Sequence, residues 1–234
     1  MSDESRLTNH RDADLNLPPR PDPETGLPAP PHAAGYHGPE QPTTVLRAKH
    51  VVPPSGAGPI LVSYRTPRRV GILHFVATFG MCTALFALFS LTWGAGLSWL
   101  TYWPITGIIL GASYLASPPL AYIIITAGAD WVAWTMNNRW WTPWTPRPHF
   151  IKVYELTTIV SFSPKWSGVY LRLRDADGRE LRQSLKTLQG DRRAWDLLAN
   201  GVLHSVAHGA TINHDAVNVF WLASHPATRG ANII

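Results

Sequence analysis

The feature that constrains this chain most is a run of sixty residues, 70–129, without a single Asp, Glu, Lys or Arg. All of the charged side chains of the 234-residue chain lie outside this run. A water-soluble domain exposes charged side chains along its whole length, because they are rarely buried without a partner. The run therefore predicts membrane-embedded segments and excludes a single water-soluble globule.

The uncharged run divides into two apolar stretches, about 70–93 and about 105–127, joined by a connection rich in Gly and Trp. Each stretch exceeds the ~20 residues that a helix needs to cross a hydrocarbon core. The sequence thus predicts a transmembrane hairpin of two helices over 70–129. Pro118 and Pro119 predict a kink in the second helix. The alternative is a three-pass layout with a turn at these prolines.

Basic residues flank the hairpin on both sides, whereas the connection 94–104 has no charge. Because Lys and Arg collect on the cytoplasmic side of a membrane, we expect a multi-pass protein of the inner (cytoplasmic) membrane with both termini cytoplasmic. Residues 60–69 form a basic juxtamembrane segment. Eight of the 11 Trp residues lie between Trp93 and Trp144, which predicts an aromatic belt and a Trp-rich interfacial segment at 130–148.

Residues 1–59 hold twelve of the 21 Pro residues and show almost no apolar periodicity. Such a composition predicts a disordered, Pro-rich N-terminal arm, since too little apolar surface is available to offset the entropy of ordering. Near its end, residues 45–51 and 60–64 have patterns typical of short strands around a turn at 53–56.

Period-two alternation follows the hairpin at 150–156, 159–162 and 169–174, and residues 175–178 are typical of a hairpin turn. Gly190 and Asp191 then precede a helical pattern, with Asp191 as its N-cap and an apolar stripe beginning at Trp195. The sequence predicts a cytoplasmic α+β domain at 149–234, with antiparallel strands and a C-terminal amphipathic helix.

Residues 169–181 and the helix that contains Trp195 resemble membrane-tethered bacterial proteins with a two-helix hairpin and a pleckstrin-homology-like cytoplasmic domain. A domain of that family has about seven strands. The C-terminal domain reaches that number only if residues 45–51 and 60–64 contribute strands from before the hairpin. The excess of Arg over Lys is typical of a GC-rich, actinobacterial genome.

Two sets of side chains are candidate binding or packing sites. The alternation at 169–174 directs Arg172 and Arg174 outward, and the returning strand places two more cations on the same side. These four residues are predicted to bind anionic lipid or a partner protein, with a solvated strand face as the alternative: Arg172, Arg174, Arg182 and Lys186. Gly107 and Gly111 form a Gly-x-x-x-Gly helix-packing motif, within the hairpin or between copies of the chain.

Three His residues are the best metal-like group, namely His204, His208 and His214. His204 and His208 lie opposite the apolar stripe of their helix and are expected to be exposed. No acidic residue lies between them to act as a base, so we predict no metal site, no cofactor and no enzyme. The net charge of +5 is not clustered, which argues against a nucleic-acid partner.

Together these patterns favour a non-catalytic integral membrane anchor or adaptor. Its partners are the lipid bilayer and either a partner protein or a second copy of the chain. One alternative is a membrane accessory protein of a mobile element, acting in plasmid transfer or spread, conjugation or phage exclusion. The other alternative is an oligomeric channel or transport subunit.

Overall fold

The computed structural model describes residues 15–40, 53–66, 68–94, 96–117, 122–137, 149–165 and 168–234. The chain forms two compact units. The first, here the sheet–helix unit, comprises residues 1–65, 124–135 and 147–234. The second, here the apolar unit, comprises residues 66–123 and 136–146.

The described residues of the apolar unit include two α-helices. Helix α1 spans Arg68–Thr92, a 3-10 turn follows at Ser98–Thr101, and helix α2 spans Trp103–Ala116. Helix α1 ends where Gly94 adopts a positive φ of 74°, which a residue without a Cβ atom allows. Among the described residues, one segment, Gly71–Thr92, is long and apolar enough to cross a membrane, while the 14 residues of α2 form a shorter apolar helix.

The second predicted helix, at about 105–127, is wrong in its C-terminal half. Helix α2 ends at Ala116, before the two prolines, and Tyr122–Ala127 form strand β2. Proline restricts the residue before it to extended conformations, and β-branched Ile residues follow. A strand buried on both faces has the same continuous apolar pattern as a membrane helix. The two-span hairpin stays a prediction.

The first sheet of the sheet–helix unit has the strand order β1-β2-β3-β4. Its strands are β1 (Val62–Arg65), β2, β3 (Trp131–Asn137) and β4 (His149–Lys152). Strand β1 pairs with β2 in antiparallel register, so that Val62 lies opposite Ala127. A segment before the hairpin thus contributes a strand, as the pattern at 60–64 predicts. The strand predicted at 45–51 lies outside the described residues.

Trp131 lies in the core of the sheet–helix unit, and the interfacial segment at 130–148 stays a prediction. Its side chain is buried at 1% exposure, and its Nε1 donates a hydrogen bond to the Gly58 carbonyl at 3.2 Å. An indole buried with its N–H paired serves equally well in a protein core, so Trp content alone did not separate the two environments. Trp140, Trp141 and Trp144 lie outside the described residues.

The second sheet has the order β7-β6-β5-β8-β9. Its strands are β5 (Leu156–Phe162), β6 (Tyr170–Asp175), β7 (Glu180–Ser184), β8 (Thr211–Ile212) and β9 (Asn232–Ile233). The β5–β6 and β6–β7 pairs are antiparallel, as predicted, whereas β8 pairs in parallel with both β5 and β9. Leu171, Leu173 and Leu181 are fully buried in its core.

The described residues of this unit form three α-helices and a 3-10 turn at Pro226–Gly230. The α-helices are α3 (Leu185–Leu188), α4 (Arg192–Ala207) and α5 (His214–Val219). The Asp191 side chain caps α4 by accepting hydrogen bonds from the N–H groups of Arg193 and Ala194, which confirms the predicted N-cap. The Trp195 ring of α4 stacks on Phe220 at a centroid distance of 5.0 Å. The predicted α+β architecture is therefore present.

Residues 15–40 of the Pro-rich arm lie against helix α4, and the disorder predicted for the arm stays a prediction. This segment is a coil without regular hydrogen bonding, and it contacts helix α4 through the bonds described below. A Pro-rich chain loses less entropy on ordering because its φ angles are already restricted. Side chains on another element can then hold it, which composition does not reveal. Residues 1–14 and 41–52 lie outside the described residues.

Candidate functional site

Helix α4 and its C-cap residue, His208, carry five polar side chains at intervals of four residues, which places them along one strip of the helix surface. We call this strip the polar ladder. Three of its members are almost completely buried, at 4% exposure for Asp196, 5% for Asn200 and 1% for His204. The N-terminal arm, residues 15–40, covers them. The ladder consists of Arg192, Asp196, Asn200, His204 and His208.

The C-terminal half of the ladder binds the start of the described arm. His204 Nε2 donates to the Pro18 carbonyl at 2.7 Å, and Asn200 Nδ2 donates to the Pro19 carbonyl at 3.2 Å. Arg20 Nε donates to His204 Nδ1 at 3.2 Å. Because Nδ1 accepts from a guanidinium, the His204 ring is the neutral tautomer with its proton on Nε2.

Asp196 holds the second part of the arm. One of its carboxylate oxygens accepts from the Ala33 backbone N–H at 2.9 Å, and the other lies 2.8 Å from His32 Nδ1. Arg192 Nη2 donates to the Ala33 carbonyl at 3.3 Å. Both the donor and the acceptor of one arm residue are therefore paired with ladder side chains.

The end of the arm lies at the N-terminal end of α4. Trp195 Nε1 donates to the Ala34 carbonyl at 3.2 Å. The side-chain amide of Gln189 donates to the Gly35 carbonyl at 2.6 Å and accepts from the His37 N–H at 3.3 Å. The arm consequently runs antiparallel to α4, from the His204 end to the Gln189 end.

Tyr154 extends the cluster beneath the arm. Its hydroxyl accepts a hydrogen bond from Asn200 Nδ2 at 2.9 Å, and the Arg20 guanidinium lies 5.3 Å from the centre of its ring. Burial raises the pKa of Tyr154 to about 12, so this hydroxyl stays protonated and neutral at physiological pH.

The prediction that His204 is exposed is wrong, because the arm covers the face of α4 that a helical wheel leaves free. Both ring nitrogens of His204 are occupied by arm atoms. His214 is exposed at the first position of α5, away from this strip. Within the described ranges, no three His, Cys, Asp or Glu side chains are grouped to hold a metal ion.

The predicted basic residues lie on or directly after strands β6 and β7 of the second sheet. Arg172 on β6 is the direct partner of Arg182 on β7, and Arg174 lies opposite Glu180. All three Arg side chains are exposed, as the alternation predicts. Lys186 is also exposed, but it belongs to helix α3 rather than to the strand. The binding role of Arg172, Arg174, Arg182 and Lys186 stays a prediction.

One carboxylate and two aromatic rings share this basic face. Arg172 Nη2 lies 2.8 Å from Glu180 Oε2, and this hydrogen bond lowers the pKa of Glu180. The Arg182 guanidinium lies 4.9 Å from the centre of the Phe162 ring, which stacks on Tyr170. The face therefore combines a cationic excess with half-buried aromatic side chains, a combination suited to an anionic membrane surface.

Gly107 and Gly111 are exposed on α2. A Cβ atom added at either position would meet no described atom within 4 Å. Both glycines therefore face open space in the described part of the apolar unit, and their helix-packing role stays a prediction. Packing between copies of the chain stays a prediction.

Sequence reasoning missed the polar ladder and its occupant. The four-residue spacing of Asp196, Asn200 and His204 was a visible signal, but three polar residues on one helix face normally indicate solvent. Comparisons of the chain with protein-family models, with curated proteins and with solved structures found no match.

Proposed function

We propose that this protein is a non-catalytic integral membrane protein that anchors an α+β domain at the cytoplasmic face of the inner membrane. The observation that carries this proposal is the exposure of the apolar unit. In helix α1, none of the most apolar 18-residue window is buried. Soluble monomers rarely expose contiguous apolar patches larger than several hundred Å². Exposure of apolar surface to water costs about 25 cal/mol per Å², and a hydrocarbon environment removes this cost.

The ends of the apolar unit support a same-side topology. Thr66 N–H donates to the Ile123 carbonyl at 2.9 Å, and Ile123 N–H donates to Thr66 Oγ1 at 3.0 Å. Segment 66–123 of this unit therefore begins and ends at one place. Because Arg65 and Arg69 lie beside that place in the sequence, we propose that it faces the cytoplasm.

Helix lengths set how the unit crosses the bilayer. At 1.5 Å per residue, the 25 residues of α1 extend about 37 Å, which exceeds a hydrocarbon core of about 30 Å. Helix α2 alone extends about 21 Å. We propose that the 3-10 turn Ser98–Thr101, which adds about 8 Å, and α2 together make the return crossing.

The order of elements supports the pleckstrin-homology-like character of the cytoplasmic domain. Strands β1–β4 form one sheet and β5–β7 form the antiparallel part of the other, so seven strands precede the long helix α4 among the described residues. Strand β1 comes from before the apolar unit. The proposed domain is thus interrupted by its own membrane anchor, between β1 and β2.

Topology reporters test the anchor directly. Fusions after Glu40 and after Ile234 should both report a cytoplasmic location, and a fusion at Ser98 should report an external one. An external reading at Ile234 would contradict the proposal, since it requires an odd number of crossings. Resistance of the full chain to alkaline extraction from membranes is the control for integral insertion.

Lipid binding by the basic face is a separate part of the proposal. Each cation near an anionic surface contributes on the order of 1 kcal/mol, and salt screens this attraction within a Debye length. For the full chain in nanodiscs, hydrogen exchange of β6 and β7 should slow when phosphatidylglycerol replaces phosphatidylcholine. Replacing Arg172, Arg174, Arg182 and Lys186 by Gln should abolish that difference. An unchanged difference would favour a protein partner for this surface.

A further inference from the structure

We propose that the polar ladder is a receptor groove for an extended, proline-rich segment of a partner protein, and that the chain's own arm is a resident occupant that this segment displaces. The inference rests on the proposed adaptor function and names the chemical class of its protein partner. The arm shows which ligand chemistry the groove accepts, because it lies in the groove.

The groove recognises main-chain atoms. Five arm carbonyls accept hydrogen bonds from side chains. Four of the donors belong to α4, and the fifth is Gln189, two residues before the N-cap of that helix. Extended Pro-rich segments have no internal hydrogen bonds, so their carbonyls are free for such donors. Recognition of this kind depends on an extended backbone more than on the side chains of one sequence. The donors are His204, Asn200, Arg192, Trp195 and Gln189, and the carbonyls belong to Pro18, Pro19, Ala33, Ala34 and Gly35.

The arm covers the ladder without being embedded in it. Of the described arm residues, only Pro21 and Gly26 are buried, whereas Asp196, Asn200 and His204 beneath the arm are almost inaccessible. A segment that keeps most of its surface in water loses little burial when it leaves. The ladder side chains then present their donors and acceptors to another extended segment.

The resident arm also leaves one acceptor of the groove unpaired. The Gln189 amide binds the Gly35 carbonyl and the N–H two residues later, at His37. Asn200 binds the Pro19 carbonyl, but the residue two positions later is Pro21, which has no N–H. The buried Asn200 Oδ1 has no hydrogen-bond partner among the described residues. A ligand with an N–H at the position of Pro21 completes this pair.

Two glycines provide a way to lift the arm without changing the groove. A Cβ atom at Gly35 would overlap the Val219 carbonyl oxygen, and one at Gly38 would overlap the Gln189 carbonyl oxygen. Gly35→Ala with Gly38→Ala should therefore displace the end of the arm. Gly230→Ala is the matched control, because a Cβ atom there meets nothing within 4 Å.

The test uses the full chain in detergent micelles and a fluorescent synthetic peptide of residues 15–40, with binding measured by anisotropy. A tethered arm competes at an effective concentration of about 1 mM, so the wild type and the Gly230→Ala control should bind the peptide weakly. The variant with Gly35→Ala and Gly38→Ala, here the lifted variant, should bind it at least about tenfold more tightly. Adding Asp196→Ala to the lifted variant should abolish binding.

A second peptide, with Pro21→Ala, tests the unpaired acceptor. For each protein, we take the ratio of the affinity for this peptide to the affinity for the first peptide. The ratio should be about fivefold higher for the lifted variant than for the lifted variant with Asn200→Ala, because only Asn200 uses the new N–H. Equal ratios for the two proteins would overturn the assignment of Asn200 as a reader of the ligand backbone.

If the lifted variant does not fold, hydrogen exchange of the wild type tests the proposal instead. The amides of Ala33 and His37 should exchange by local opening, faster than the amides of Leu171 and Leu173. Exchange of all four only on global unfolding would overturn the proposal, as would a folded lifted variant that binds no peptide. Dimers of the wild type held by exchanged arms would overturn it in favour of a second copy.

These outcomes are independent of the anchor. Peptide binding in micelles does not depend on which side of a membrane the domain faces, whereas the reporter fusions do not depend on the groove. Failure of one experiment therefore leaves the other hypothesis standing.

Discussion

Deletion of residues 66–123, the longer segment of the apolar unit, should leave a folded, water-soluble domain. Arg65 on β1 and Ile124 on β2 are direct partners across the sheet, so the chain ends left by deleting residues 66–123 are adjacent. An Asn-Gly pair between them makes a two-residue hairpin of the type that strand twist favours. The protein with residues 66–123 replaced by Asn-Gly, here the excised form, keeps Val62 and Tyr64 in register against β2.

The stability of the excised form can be compared with that of a looser connection. Loop closure costs about 0.6 kcal/mol for each doubling of length, so a twelve-residue Gly-Ser linker should be about 1.5 kcal/mol less stable than the two-residue turn. Compared with a flexible linker as long as residues 66–123, the two-residue turn should raise the free energy of unfolding by about 3 kcal/mol at most. That figure is an upper limit because the apolar unit is itself folded.

Sedimentation without detergent and urea unfolding followed by tryptophan fluorescence measure both expectations. The excised form should stay in the supernatant and unfold cooperatively, with the Gly-Ser form at a lower midpoint and the same slope. Aggregation, or a gradual loss of signal in both forms, would refute the reasoning. It would mean that the sheet–helix unit depends on residues 66–123 for its own fold.

Three further predictions concern charge, packing and pH. In the excised form, Glu180→Gln should raise binding to phosphatidylglycerol vesicles about fivefold, since one surface charge contributes about 1 kcal/mol; Asp215→Asn, the same charge change on helix α5, should not. In the full chain in micelles, Gly201→Ala should lower the free energy of unfolding by about 1–2 kcal/mol. A Cβ atom there lies 2.5 Å from two Val153 carbon atoms, and this overlap outweighs a helix-propensity gain of about 1 kcal/mol; an equally stable variant would contradict it. Burial lowers the pKa of His225 in the folded state, so the unfolded state binds the proton first and stability should fall as pH decreases below about 6.5. His225→Gln should reduce that decrease in urea midpoint, and an identical pH profile would contradict it.

Local patterns predicted the elements whose causes are local. The charge-free run placed the first helix at about 70–93, close to the observed Arg68–Thr92. Asp191 marked the start of α4, and the turn at 175–178 marked the β6–β7 hairpin, where Gly178 N–H donates to the Asp175 carbonyl. Caps, turns and long apolar runs act within a few residues, so they are readable without the rest of the fold.

Long-range burial decided what those patterns left open. Residues 122–127 are apolar enough for either a membrane helix or a buried strand, and pairing with β1 makes them a strand. The polar ladder looked like a solvent face because its partner lies more than 150 residues away in the sequence. The sequence by itself determined which segments are apolar, capped or turned. Only the tertiary structure decided what covers each of them, because contacts between distant residues depend on the whole packed chain rather than on local propensity.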